Sequence, residues 1–310
     1  MKNLLTGGII FNNIKQAQTE FANLGILTRT NFPSNEFSLY CGGGLLELVV
    51  CPTSVNQLIQ IVNIIKKNSL DYLVIGACGN TLIKDTGFSG VTIMTQYLKG
   101  ISHRNNTLYA GAGDKLNILS KKAMSCGLSG FEPLTGIPAS VGGACVMNAG
   151  AFGTEMSQLI KDITYIDFFD SRLKKTFAGN LPFKYRHTNG FFDDKIITSV
   201  SFKLTSDDTS KIKARCISAL ETRKLTQPSK PSLGCVFKKA KGISAGYYIE
   251  KAGLKGFRIG GAQISQMHAN FIVNTGNGNA SNYIRLVEIS ENQVLEKFNI
   301  KLEREIIVKG

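Results

Sequence analysis

The chain is short of histidine, with only three in 310 residues. Its seven cysteines, Cys41, Cys51, Cys78, Cys126, Cys145, Cys216 and Cys235, are odd in number and include no C-x-x-C pair. That pattern argues against a disulfide framework and a zinc site, and for a reducing compartment. No metal site is expected. No apolar run reaches the roughly 18 residues of a membrane helix. The mildly apolar Leu4–Phe11 segment is interrupted by Thr6, Gly7 and Gly8 and lacks a convincing cleavage site. It reads as the N-terminus of a mature, cytoplasmic protein without a membrane partner. The phosphate-binding pattern G-x-x-x-x-G-K-[ST] is missing, and so is the dinucleotide pattern G-x-G-x-x-G.

What is abundant is positive charge. Lysine and arginine number 36 against 22 acidic residues, a net charge of +14. A surplus of that size favours anionic partners. It is dispersed: the densest stretch, Lys238–Lys241, is broken by Ala240. Charge alone leaves nucleic acid open. Dispersed charge among glycine turns fits a phosphate-bearing small molecule better, and no nucleic acid partner is expected. Hydrophobic residues make up 43% of the chain, which excludes disorder.

Strand-like and helix-like segments alternate, so the class is mixed α and β. Ser54 and Gln57 fit a capping box, followed by Val55, Leu58, Ile59, Val62 and Ile65 at helical spacing. Tyr72–Ile75 reads as a buried strand leading into a glycine-rich turn, Gly76–Asn80. Asp114 is expected to cap a second helix that Gly127 ends. Strands are expected at Ile163–Phe169 and Ile196–Leu204, the second with Ile196, Val200, Phe202 and Leu204 on one face. A helix is expected over Ser210–Arg223, another capped by Ser281, and a last strand over Lys301–Val308. The domain boundary is placed at Ser206–Ser210, giving domains 1–205 and 206–310.

The stretch Gly127–Gly153, GLSGFEPLTGIPASVGGACVMNAGAFG, differs in kind. It is dense in glycine and carries one charge, Glu132, so neither a helix nor an ordinary strand is expected. Glycines let backbone N–H groups approach a diphosphate closely. Ser129, Thr135, Ser140 and Asn148 add uncharged hydrogen bonds. A different dinucleotide-binding fold is needed.

This stretch resembles the FAD-binding signature of the UDP-N-acetylenolpyruvoylglucosamine reductases, with the same GLSG, GIP, VGGA and MNAGA blocks. Further blocks follow in the family's order: Gly76–Gly90 as a first phosphate loop, Tyr185-Arg186, Arg223 with Gln227-Pro228, Gly234–Lys238, Gly253–Gly256, His268–Ile272 and Leu302–Glu305. The resemblance covers about Cys41 to Ile307 and points to the shorter subtype. It implies an α+β architecture: a vanillyl-alcohol-oxidase-like (PCMH-type) FAD domain, then a smaller α/β substrate domain. It also implies NADPH-dependent reduction, through FAD, of an enolpyruvyl ether on UDP-N-acetylglucosamine to UDP-N-acetylmuramate for cell-wall synthesis, by a monomer acting on a UDP-sugar.

Carried over position by position, the resemblance implies FAD contacts at Gly76, Cys78, Gly79, Asn80 and Thr81. It implies others at Gly136, Ile137, Ser140, Gly142, Gly143, Asn148 and Gly153. Tyr185, Arg223, Lys238, Lys239 and Asn270 fall at substrate positions. Hydride addition to one vinyl carbon pushes negative charge onto its neighbour, where a cation lowers the barrier; Arg186 holds that position. The neighbour then takes a proton, from Cys235 where the family usually has serine, with Glu305 assisting. Alternation along the strand puts Glu303 on the same face as Glu305, so only the motif register selects Glu305. His268 reads as a structural histidine beside Asn270. The chain departs from the family at Lys239-Ala240 for Asn-Pro, at Cys78-Gly79 for Gly-Ser, and at Tyr40–Gly43, which lacks the usual arginine. A flavin oxidase of the same superfamily and a non-catalytic basic binding module stay open as alternatives.

Overall fold

In the computed structural model, which describes residues 3–310 and side chains from Asn13 on, the helix expected after Ser54 spans Val55–Lys67. Ser54 Oγ accepts from Gln57 N–H at 3.2 Å. The return bond lands one residue early: Gln57 Oε1 accepts from Thr53 N–H at 2.9 Å. This helix buries Leu58, Ile61, Val62, Ile64 and Ile65. They pack into one cluster with Leu48, Val50, Val91 and Ile93 of the neighbouring strands. Each such side chain contributes about 1.5–3 kcal/mol when fully buried. The strand Tyr72–Ile75 forms as expected and pairs in parallel with Val91–Met94.

The chain divides into two compact units, and the division departs from the expected one. The first comprises 1–31, 47–77 and 89–220; the second comprises 32–46, 78–88 and 221–310. The expected boundary at Ser206–Ser210 leads into a helix, Thr209–Thr226, and the units part inside that helix. Two early segments join the second unit because they bond there. The strand Ile307–Lys309 pairs in parallel with Thr81–Ile83. Asn274 Nδ2 donates to Tyr40 O at 3.0 Å. The Asp85 carboxylate accepts from Ala280 N–H and Ser281 N–H, both at 2.8 Å. Local sequence carries no sign of such returns.

The first unit holds a four-stranded sheet ordered Leu27–Pro33, Leu45–Cys51, Phe88–Met94, Tyr72–Ile75. It also holds an antiparallel five-stranded sheet ordered Leu173–Phe177, Ile160–Asp167, Lys195–Lys203, Thr107–Gly111, Ser102–Arg104. Val200, Phe202 and Leu204 share one core cluster, but Ile196 sits in another. Thr198 is an extra residue between the pairs Thr164↔Ser199 and Tyr165↔Ile197. Such a bulge reverses the face that side chains take.

Other local expectations are corrected in the same way. The helix Leu116–Ser125 has Lys115 at its N-cap. Asp114 instead accepts from Gly100 N–H and Gly111 N–H, both at 2.9 Å. Gly127 does follow that helix at φ +65°. The Gly127–Gly153 stretch contains a short helix, Val141–Val146, capped by Ser140 on Gly143 N–H at 3.3 Å.

In the second unit the strands run Ser232–Cys235, Phe271–Asn274, Ala262–Ile264, Arg258–Ile259, all antiparallel. The helices Ala245–Lys251 and Ala280–Phe298 share the core with them. Asn279, not Ser281, caps the last helix through Asn282 N–H at 2.8 Å. The final strand is shorter than Lys301–Val308, being Ile307–Lys309. Among the described residues no helix is long and apolar enough to cross a membrane, and no cluster of three potential metal ligands occurs.

Candidate active site

The turn Gly76–Asn80 is built to receive an anion. Cys78 is buried and has φ +49°, a left-handed conformation that costs a non-glycine residue about 1 kcal/mol. The N–H groups of Ala77, Cys78, Gly79 and Asn80 find no acceptor among the described residues. Consecutive N–H groups around a left-handed residue make an anion-binding concavity. The other polar groups of the turn are spent on holding it. Cys78 Sγ donates to Thr81 O at 3.3 Å, and burial pushes its thiol up to about 12. Asn80 Nδ2 donates to Glu305 O at 2.9 Å, and Asn80 O accepts from Ile307 N–H at 2.9 Å.

In the first unit Gly76 lies against the start of the helix Val141–Val146. A Cβ on Gly76 would run into Ser140 Oγ, so a larger residue there would displace the hydroxyl that caps this helix, and one on Gly142 would meet the Ala112 Cβ at 3.0 Å. The loop before this helix is braced by the one charge the glycine-dense stretch carries. The Glu132 carboxylate, 5% exposed, accepts from Gly130 N–H, Ser129 Oγ at 2.8 Å and Arg215 Nε at 3.0 Å. Burial alone raises the carboxyl's pKa; those bonds outweigh it and hold the group below the usual carboxylate range. Arg215 also reaches Asp207. Arg215→Ala leaves a buried carboxylate without its cation, so stability is expected to fall. A lower urea midpoint at unchanged m checks it. Gly136, at φ +86°, and Gly153, at φ +85°, sit in exposed turns. Ile137 N–H is bonded to Leu134 O.

Arg186 ends a tight turn in which Lys184 and His187 exchange backbone bonds, and its φ is +60°. Its guanidinium lies 4.8 Å from the Tyr185 ring. It donates to Gly150 O at 2.6 Å and to Asn148 O at 3.4 Å, and it approaches Glu155 Oε1 at 3.5 Å. The buried Asn148 side chain is committed to the protein. Its Nδ2 donates to Glu155 Oε2 at 2.8 Å and Lys184 O at 3.0 Å, and its Oδ1 accepts from Ser157 N–H at 2.9 Å.

The second unit assembles Cys235, Glu305, Arg223, Lys238 and Asn270. Cys235 pairs with Phe271 at the end of its strand, after a register shift. Glu305 comes beside it because Glu305 N–H donates to Val236 O at 2.8 Å, next to the bridge Phe237↔Arg304. Asn270 clamps this backbone. Its Oδ1 accepts from Phe237 N–H at 3.0 Å, its Nδ2 donates to Phe237 O at 2.8 Å, and Val236 N–H donates to Asn270 O at 2.8 Å. That carboxamide holds the backbone that follows Cys235. His268 Nδ1 accepts from Asn270 N–H at 3.2 Å, and burial lowers its pKa, consistent with a neutral structural histidine.

Burial also lowers the pKa of Arg223, against the opposing influence of Cys235 nearby. The Lys238 ammonium is paired with Glu303 at 2.6 Å, while Lys239 is exposed. Tyr283, fully buried and T-shaped against Tyr40 at 4.8 Å, has a hydroxyl with no partner among the described residues. Burial first, then Tyr40 and Cys235, push it well above the usual phenol range. Sequence reasoning missed Glu132, Glu155, Arg215 and Tyr283. Only Glu132 gave a signal, as the lone charge among glycines.

Two family models match the chain. A family model described as FAD binding domain matches residues 46–170. A second, UDP-N-acetylenolpyruvoylglucosamine reductase, C-terminal domain, matches residues 227–309. A UDP-N-acetylenolpyruvoylglucosamine reductase of Syntrophomonas wolfei is 36% identical over 91% of this chain and 95% of its own length. That of Caldicellulosiruptor bescii is 37% identical over 92% and 91%. The crystal structure of the Thermus caldophilus reductase superposes with a TM-score of 0.78 at 30% identity, covering 92% of this chain and 99% of that one.

Proposed function

The chain belongs to the UDP-N-acetylenolpyruvoylglucosamine reductase family, and from that premise we propose that it uses NADPH to reduce the enolpyruvyl ether of UDP-N-acetylglucosamine. The product is UDP-N-acetylmuramate, a peptidoglycan precursor. It is an FAD-dependent oxidoreductase. The observation that carries the reading is the run of unpartnered N–H groups at Ala77–Asn80, whose geometry suits a diphosphate. Within the first unit Gly76, Ser140, Gly142 and Gly143 would line FAD by close approach, since Gly142 N–H is bonded to Ala112 O and Gly143 N–H to Ser140 Oγ. FAD, when bound, supplies the hydride that NADPH delivers.

Arg186, fixed by Gly150 and Glu155, supplies a cation for the charge that develops on the substrate's carboxylate and neighbouring carbon. Cys235 gives its Sγ proton to that carbon, and Glu305 assists. Arg223, in electrostatic reach of Cys235, supplies positive charge for the anionic substrate, while Lys238 is neutralised by Glu303. The test is an absorption spectrum of the purified protein under nitrogen. A bound flavin band is expected, bleached by NADPH and restored by the enolpyruvyl substrate. A colourless protein that still reduces the substrate after flavin removal would sink the reading. Rapid oxygen consumption without that substrate would favour a flavin oxidase.

A further inference from the structure

Arg186 meets acceptors of two kinds: the backbone carbonyls Gly150 O and Asn148 O, and the Glu155 carboxylate. Gly150 O is a backbone atom that no side-chain change removes. Glu155 is a carboxylate at 3.5 Å from Nη1, with its side chain 28% exposed against 16% for Arg186. The pair is half-screened, so its value lies in geometry more than in Coulomb energy. Glu155 is itself held. Its Oε2 accepts from Asn148 Nδ2 at 2.8 Å, and Asn148 cannot turn its amide over, because Oδ1 accepts from Ser157 N–H at 2.9 Å. The backbone N–H of Glu155 donates to Gln158 Oε1 at 3.2 Å within a capping box. The packing leaves no slack: a Cβ on Gly150 would meet Glu155 Cγ at 2.9 Å and Arg186 Nη1 at 3.0 Å.

We propose that Glu155 is a positioning residue for the reduction, holding the Arg186 guanidinium on the substrate's developing anion through the fixed chain Ser157–Asn148–Glu155–Arg186. The proposal rests on Arg186 having the role given above. Arg186 needs such a device because its own backbone is left-handed and its side chain is long. A misplacement of a catalytic charge by about 1 Å can cost a hundredfold in rate. The carboxylate is required, not merely a polar group. A glutamine at this position must present either its oxygen to Asn148 and its NH2 to Arg186, or the reverse. Each orientation sets donor against donor at one end. Simple screening of Arg186 by Glu155 makes the opposite demand, since removing the negative charge would then speed the reaction.

The test is rapid-mixing kinetics on the flavin-loaded enzyme, with the two half-reactions measured apart. Glu155→Ala and Glu155→Gln are expected to slow flavin reoxidation by substrate about tenfold or more. Flavin reduction by NADPH is expected to stay within about twofold. In an Arg186→Ala background the same substitutions are expected to add nothing, because the group they position is gone. Equal slowing of both half-reactions, unchanged or faster reoxidation, or an undiminished effect in the Arg186→Ala background would each overturn the proposal. If Glu155→Ala fails to fold, the near-isosteric Glu155→Gln carries the same reading. If Arg186→Ala alone leaves reoxidation unchanged, the role of Arg186 has failed. If only the Glu155 variants do so, this inference has failed.

Discussion

Cys235→Ala is expected to lose about a hundredfold or more of its substrate half-reaction while still accepting hydride from NADPH. General acid catalysis by a placed side chain is worth roughly 10²–10⁴ in rate. The thiol is the placed acid because its strand is clamped at Val236 and Phe237 by Asn270. An ordinary thiol ionises near pH ~8.5, and only the protonated form can donate. Wild-type reoxidation is therefore expected to fall as alkaline pH removes that proton. Cys235→Ser is expected to keep substantial activity and to move the alkaline fall upward or abolish it, since an alcohol stays protonated. Lys238 is spent on Glu303, so Arg223 is the cation identified in electrostatic reach of the sulfur. Near-wild-type turnover in Cys235→Ala, with flavin content intact, would remove the thiol from the mechanism and leave Glu305 as the donor.

The second large effect is expected from Arg186→Ala. One lost charge contact to a developing anion costs roughly 3 kcal/mol, about a hundredfold in rate. The loss should fall on flavin reoxidation by the enolpyruvyl substrate and spare reduction by NADPH, because the charge it stabilises exists only in the first of these. Stopped-flow traces that slow equally in both half-reactions would contradict the assignment. Arg186→Lys is not expected to rescue fully. A lysine cannot present two parallel N–H groups, and the guanidinium uses both Nη atoms on Gly150 O and Asn148 O.

The local fold around the candidate site was legible where short patterns need no knowledge of distant contacts. The strand Tyr72–Ile75 and the turn after it are local, and so is the helix after Ser54. What failed was whatever depended on a partner far along the chain. Ser281 looked like a helix cap by composition, but Asp85 occupies its hydroxyl and N–H, and Asn279 is free to cap. Ile196 changed faces because Thr198 bulges against a partner strand. Asn270 and Asn148 were read as ligand contacts from their motif positions. Their amides turn out to bond within the protein itself. The discontinuous second unit could not have been foreseen, because the pairing of Ile307–Lys309 with Thr81–Ile83 leaves no mark on either segment.

That last pairing has a kinetic meaning. The bond from Asn80 to Glu305 joins residues 225 positions apart. The turn Gly76–Asn80 cannot be finished until the far end of the chain has been made and has found its way back. Bringing such distant segments together is slow, because the ordering entropy is spent before any contact repays it. During synthesis the first unit can gather around its own helices and sheets while the strand Thr81–Ile83 waits with an unpaired edge. In refolding from urea, secondary structure is therefore expected to return before flavin-binding competence, with the lag set by closure of this one parallel pair.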